Sequence, residues 1–557
     1  MLRKMKISKI TGFLLSLFFL SGCSDFLKEE NKSNIISDEY YAASEGYEKL
    51  INAAYSSLRT VYSAPWVFCA GTDMYVEGRT QQPVGLSEYQ NLIADDAEVL
   101  AFYTSLYKGI QVINTAIYFN DKTAASPALS ARLGEMKFLR AFYYFLAVQT
   151  FGGVAIVTDR FTSPVDVFER QTAAEVYDFV ISEMKAAQEL VPETVPNAEF
   201  GRVTKRAVQH MLAKVHLTRG YETFGNADDF KTAATLADAA INGQALTISF
   251  EDLFYPGKDI NSEVLFSIQF APGSLPTETT GGNTQSAYFG PYFGGQGAVL
   301  GYPNRTYALC PTMYTFDLFT KEDARFDATF MIYFYSRYYD YYTKSNERNT
   351  LTVQYYYAPK WMNSEADIAA WRAADPARRA KTIVYPYSQE WEANRTVVLD
   401  NYTPSVKKFD DPLSQFGTAS STRDLFLARL GETYLIAAEA YFKSGNNALA
   451  AERINAVRKR AAKPGIDLSI KATDVNIDFI LDERGRELVG EYHRWFDLKR
   501  TGTLITRSRK YNRDVRKWYD NGTDPFAGVG GALKILRPIP NRALDLNQGT
   551  FEQNPGY

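Results

Sequence analysis

The 557 residues carry 61 Lys and Arg against 64 Asp and Glu, a formal charge of −3, and 46% of them are hydrophobic. This balance argues against a nucleic-acid binder, which shows a basic face, and against a disordered chain. Three histidines, His210, His216 and His493, are too few and too scattered for a zinc site. No metal or cofactor is implied.

The chain opens on a segment that does not belong to the fold. Arg3, Lys4, Lys6 and Lys9 form a basic start, and Ile10 to Leu20 is an apolar run of 11 residues. That run is too short to span a bilayer as a helix. Leu20-Ser21-Gly22-Cys23 then brings small residues up to one cysteine. This is the layout of a bacterial lipoprotein signal: residues 1–22 are removed and Cys23 becomes the lipidated N-terminus. The alternative is an ordinary secretory signal with an incidental cysteine, or a short anchor. Loss of four positive charges leaves a mature formal charge of −3 − 4 = −7. No later segment holds 18 uncharged apolar residues, so nothing else is expected to cross a membrane. Cys69 and Cys310 remain, and two unpaired thiols are the expectation.

Helical periodicity dominates the next 200 residues. Glu45–Arg59 places Leu50, Ala53, Ala54 and Leu58 on one side. Val99–Phe119 follows, then Leu129–Thr150 with a wide apolar face from Leu133 to Phe145. Thr172 with Glu175 three residues on is a capping box that starts a helix to Leu190. Two helix pairs share a look. Thr204–Arg219 with Phe230–Ile241 is one; Arg429–Lys443 with Ala448–Ala461 is the other. Their alanines permit close nesting, and the length of each pair suits a tetratricopeptide unit. His210 and His216, six apart on one helix, point to different faces.

The middle reads differently. Residues 271–310 are rich in glycine, threonine and aromatics, which rules out a long helix. Thr329–Tyr342 and Leu351–Lys360 are tyrosine-dense and flank a polar turn at Ser345–Asn349, which predicts a hairpin. Trp361–Thr403 reads as irregular. The resulting divisions are a signal at 1–22, a helical region at 23–270, a loop-rich aromatic region with a hairpin at 271–420, and a helical C-terminal region with its tail at 421–557. Residues 23–557 are expected to form one compact unit.

Several segments in order resemble the SusD/RagB family. They are Phe138-Leu139-Arg140-Ala141-Phe142-Tyr143-Tyr144-Phe145-Leu146 with Gln149 and Phe151-Gly152-Gly153-Val154; Pro311-Thr312 with Phe316, Phe319, Asp323 and Arg325; Leu427-Ala428-Arg429-Leu430 with Glu432 and Tyr434 to Tyr441; Glu483 to Leu488; His493 to Arg500; Arg537-Pro538-Ile539-Pro540; and Gln553 to Tyr557. Asp25, Glu29 and Glu30 behind Cys23 resemble the surface-export signals of Bacteroidetes lipoproteins. The resemblance implies a mostly α, SusD-like fold, with tetratricopeptide-like helix pairs forming a right-handed scaffold beside a loop-rich ligand region with short strands. It implies a non-catalytic lipoprotein of the outer membrane, facing outward. Such a protein binds oligosaccharide or polysaccharide and acts as the lid of a SusC-like TonB-dependent transporter. Peptide ligands, as in RagB-like members, are the alternative on the same fold. A glycan hydrolase and a protein-only tetratricopeptide scaffold are more distant ones.

Two sets of residues are candidates for chemistry. Glu483, Glu487 and Glu491 at four-residue spacing would line one helical face, and paired carboxylates are what glycosidases use. Arg484, Arg486, Arg494 and Arg500 crowd the same segment, and arginine lowers a neighbouring carboxyl's pKa, which is wrong for a general acid. The reading is a structural ion-pair network of Glu483, Arg484, Arg486, Glu487, Arg494 and Asp497. For ligand contact, sugar rings expose flat C–H faces that lie against aromatic rings. Trp66, Tyr75, Arg79 and Gln81 after the first helix, with Tyr288, Tyr292 and Tyr302, are the candidates.

Overall fold

The computed structural model describes residues 37–78, 83–275, 281–290, 308–392, 402–414 and 420–557. Cys23, Arg79, Gln81, Tyr292 and Tyr302 lie outside them. Eight helices stack in chain order: α1 Ser44–Val61, α2 Ala97–Asn120, α3 Leu129–Phe151, α4 Ala173–Leu190, α5 Lys205–Arg219, α6 Asp229–Ile241, α7 Leu430–Lys443 and α8 Asn447–Ala461. Each packs on the next. Local chemistry sets the starts. Asp96 caps α2, Thr172 and Glu175 form the expected capping box on α4, and Thr204 caps α5.

The two helix pairs read from the sequence are therefore one run. α6 packs directly on α7 although about 190 residues separate them. Buried alanines make the seam: Ala233, Ala234 and Ala237 on α6 meet Ala437, Ala438 and Ala440 on α7 in one apolar cluster. Tyr434 donates to the Gln244 carbonyl and Tyr441 to Asp238, both across the gap.

The intervening chain is an excursion whose ends are pinned together. β2 Val264–Ile268 pairs antiparallel with β7 Leu425–Arg429, and Arg429 leads straight into α7. A second ribbon joins β1 Tyr75–Glu77 to β3 Leu309–Pro311, register Tyr75 to Pro311. Within the excursion, β4 Tyr333–Phe334 pairs antiparallel with β5 Tyr355–Ala358, and β5 pairs in parallel with β6 Ile383–Pro386.

Two expectations change here. The predicted hairpin keeps its pairing but only over β4 and β5; Asp340–Thr343 is helical and Ser345–Glu347 is a 3-10 turn. Tyr338 and Tyr342 both donate to Asp410, and Tyr341 donates to Glu251. The first two lie four apart, a helical spacing, so tertiary bonds win over strand propensity. The segment expected to be irregular contains the helix Glu365–Ala373 and strand β6. Its start is a capping box of Ser364 and Asp367. Cys69 and Cys310 are buried and form no disulfide among the described residues. No helix of the described residues is long and apolar enough to cross a membrane.

After α8 the chain adds α9 Ile477–Glu487, α10 Arg494–Arg500, α11 Leu504–Tyr511 and α12 Arg513–Asp520. α9 lies against α7, and α10 against the short helix Trp66–Cys69.

The α1–α2–α3 layer depends on one small residue. A Cβ on Gly109 would stand 2.2 Å from the Tyr143 ring, and the Tyr143 hydroxyl is bonded to Ser57 on α1 at 2.6 Å. Gly109→Ala should therefore lower stability by about 1–3 kcal/mol through overpacking, seen as a lower midpoint in thermal or urea unfolding.

Candidate functional site: an aromatic cleft braced by a buried ionic block

The cleft begins where α1 ends. Pro65 starts the short helix Trp66–Cys69 and sends the Trp66 ring to the cleft wall. Trp66 meets Tyr288 edge-on, with ring centroids 5.0 Å apart. Tyr288 sits half-buried on the short helix Gln285–Phe289. That segment is tied to α1 by a bond from the Thr284 hydroxyl to the Ser63 carbonyl at 2.8 Å. Thr60, Ser63, Ala64 and Trp66 form one side of the cleft, and Glu98, Ala101 and Ser105 of α2 the other. Burial and the nearby Asp96 raise the Glu98 carboxyl. On the same short helix, Phe68 clusters with Tyr62 and Tyr492 at 4.8 and 5.2 Å, and the two tyrosine rings lie 6.0 Å apart.

Tyr75 does not share this surface. It is 2% exposed on β1, and its hydroxyl accepts from the Gly490 backbone N–H. Its ring packs the core, because β1 is held between β3 and the C-terminal helices. Among the candidates for ligand contact, the structure brings together Trp66 and Tyr288.

The carboxylates of the 483–500 block are all engaged. Glu483 and Glu487 lie one turn apart on α9, and both meet Arg325, at 2.8 and 2.9 Å. Glu483 also takes Arg458 and Arg486. Glu487 takes Arg429 at 2.7 Å and also Arg460. Glu491 is not on the helix, since α9 ends at Glu487. The chain turns through Gly490, φ +76°, and still brings Glu491 to Arg429 at 2.6 Å and Lys408 at 2.6 Å. Arg484 pairs with Asp497 and Glu432, and Asp497 also with Arg500. Arg494 forks onto Asp73 with both bonds between 2.6 and 2.7 Å.

Burial opposes ionisation of these acids, but the guanidinium charges outweigh it. Glu483 falls to about 2, and Glu487, Asp497 and Asp73 are also held below the ordinary range. An acid held ionised in this way has no proton to donate at neutral pH. His493 is pushed the other way: burial lowers it to about 3, against the nearby Glu432. His210 contacts Thr433 and Glu432, whereas His216 contacts Asp229, so the two rings do not meet. No cluster among the described residues could hold a metal.

Sequence reasoning missed Asp73, Lys408, Arg458 and Arg460 as members of the block. Asp73 had a signal, since it lies in the otherwise apolar run Trp66–Val76 and a charge buried there needs partners. The other three come from distant turns and helices with no local mark.

The structure is thus a helical stack with a small cleft at Trp66 and a buried block of ion-paired acids. The SusD family model matches residues 262–557, and a second model, described as starch-binding associating with outer membrane, matches 25–217. The chain belongs to the SusD family. It is 25% identical to SusD-like protein P25 of Formosa agariphila over 99% of this chain and 100% of that one. It is 26% identical to the starch-binding protein SusD of Bacteroides thetaiotaomicron, over 76% of this chain and 72% of that one. Among solved structures, a SusD homologue from B. thetaiotaomicron superposes with a TM-score of 0.70 at 20% identity, covering 95% of this chain and all of that one. Surface glycan-binding protein A of the same organism, in complex with laminarihexaose, gives 0.66 at 20% identity, covering 92% and 100%. These likenesses establish the SusD-like fold.

Two predictions follow from the ionic block. Arg429→Ala strands Glu487 and Glu491 without their shared partner and should cost about 3–5 kcal/mol, read in urea unfolding. For acid, the signs agree. His493 is lowered from 6.5 to about 3, so its contribution is present above pH 6.5 and fades below it. Glu483, lowered from 4.5 to about 2, contributes above pH 4.5 and is lost as pH falls towards 2. Stability should decline gently from pH 6.5 and steeply below 4.5, as measured by unfolding at stepped pH.

Proposed function

We propose that the mature chain is a surface-exposed outer-membrane lipoprotein, anchored at Cys23, that binds oligosaccharide or polysaccharide and delivers it to a SusC-like TonB-dependent transporter as its lid. Family membership supports the class. Tyr288 supports the ligand: it is half-buried and packs edge-on against Trp66, which is 8% exposed and backs a small cleft where Ser63, Glu98 and Ser105 can take hydroxyls. An aromatic face with polar neighbours suits a sugar ring, apolar on one side and hydroxylated at its edge. The engaged carboxylates support capture rather than hydrolysis. Holding glycan beside a pore raises its local concentration without chemistry.

Isothermal titration against oligosaccharide and peptide pools tests the ligand. Glycan should bind, and Tyr288→Ala should weaken it about tenfold when measured below the melting temperature of the variant, which also loses its packing on Trp66. Peptide binding without a glycan signal would sink the ligand assignment. Cys23→Ala should release the protein from the membrane and abolish uptake in cells while leaving binding by the purified chain intact. Uptake that survives this change would remove the lid role.

A further inference from the structure

An apolar groove of about 340 Å³ lies between α2, the loop 154–170 and the C-terminal tail, lined among others by Tyr103, Tyr107, Phe161, Val165, Phe168 and Leu546. Its rim is open to solvent: Phe161 is 36% exposed, Val165 42% and Leu546 66%. An apolar patch of this kind marks a contact surface. The groove is built firmly. The Phe168 N–H donates to the Asn547 side chain, the Asn547 amide donates back to the Phe168 carbonyl, and the Gln548 N–H donates to the Asp166 carbonyl.

We propose that this groove is the dock for the chain's own N-terminal segment, residues 24–36, seated by Phe26–Leu27 and Ile35–Ile36. The described chain begins beside it. Asp38 pairs with Arg160 at 2.7 Å, and Arg160 is the immediate neighbour of Phe161. The Phe161 N–H donates to Gln111, a groove residue on α2. Asp38, at the start of the described chain, is therefore tied to the residue next to the groove's rim. The only large apolar residues of segment 24–36 are those two pairs, separated by the polar stretch Lys28–Asn34. Nine residues lie between Leu27 and Ser37, and the ten steps from one to the other reach up to about 33–36 Å, ample for the groove.

The dock has a consequence for orientation, and that consequence rests on the proposed lipidation of Cys23. A free tether from Cys23 to Ser37 spans up to about 46–50 Å. Docked at Phe26, only the first three residues remain free, about 10 Å. The groove face would then be held against the membrane, and the tether would set the tilt of the body as well as its distance.

Hydrogen exchange on the mature chain carrying Cys23→Ala, purified without lipid, tests the dock independently of anchoring. Amides in 159–168 and 544–551 should be protected, and Phe26→Asp with Leu27→Asp, or Ile35→Asp with Ile36→Asp, should speed their exchange about tenfold. Leu546→Asp, an exposed change on the body, should release the amides of 25–36 in turn. Unchanged exchange in all three variants overturns the proposal. So does protection that rises with protein concentration alongside a doubled mass in light scattering, which would assign the groove to a second copy. Protection that appears only with phosphatidylethanolamine vesicles would assign it to lipid and overturn it equally.

Discussion

Arg429 holds two buried carboxylates, Glu487 and Glu491, and it stands where β7 becomes α7. The rest of the structure converges on this point. Through Glu487 it reaches Arg325 of the excursion and Arg460 of α8. Through Glu491 it reaches Lys408, which also donates to the Val489 carbonyl. One turn back, Glu483 gathers Arg325 again with Arg458. The neighbouring Arg494 and Arg507 both grip Asp73, behind the Trp66 turn. Desolvating so many charges is costly, and buried pairs are poor evidence of net stability. Their geometry supplies something else: forked guanidiniums accept few alternative arrangements, so segments hundreds of residues apart are held in one relation.

This explains how a cleft can sit on so interrupted a chain. The helical stack alone has no means of placing the loop that carries Tyr288. Three devices fix it: the β2–β7 ribbon that closes the excursion, the Thr284–Ser63 bond at its near end, and the Gln285 amide bonded to the Gly490 carbonyl beside Glu491. The cleft, the excursion and the ionic block are thus mechanically continuous. Trp66 meets Tyr288, and on the same short helix Phe68 stacks on Tyr492, the neighbour of Glu491 in that block.

Much of the fold was legible in the sequence because it is locally encoded. Eight helices declared themselves by period and cap, as with Thr172 and Glu175, and their alanines foretold close nesting within each helix pair. Errors fell where long-range bonds overrode local preference. Tyr338, Tyr341 and Tyr342 look like strand residues until Asp410 and Glu251 claim their hydroxyls. Tyr75 looked like a free ring because sequence does not show that β1 runs inside the molecule. Glu491 continued a helical spacing that the chain abandons at Gly490.

By itself the sequence determined the helical elements and the ordered motifs that mark the family, since each depends on residues close together along the chain. Tertiary structure alone decided that the two helix pairs are one stack, that Trp66 meets Tyr288, and which arginine answers which carboxylate. Those are contacts between residues up to several hundred positions apart. Their specificity lies in distance and angle, which no local pattern records.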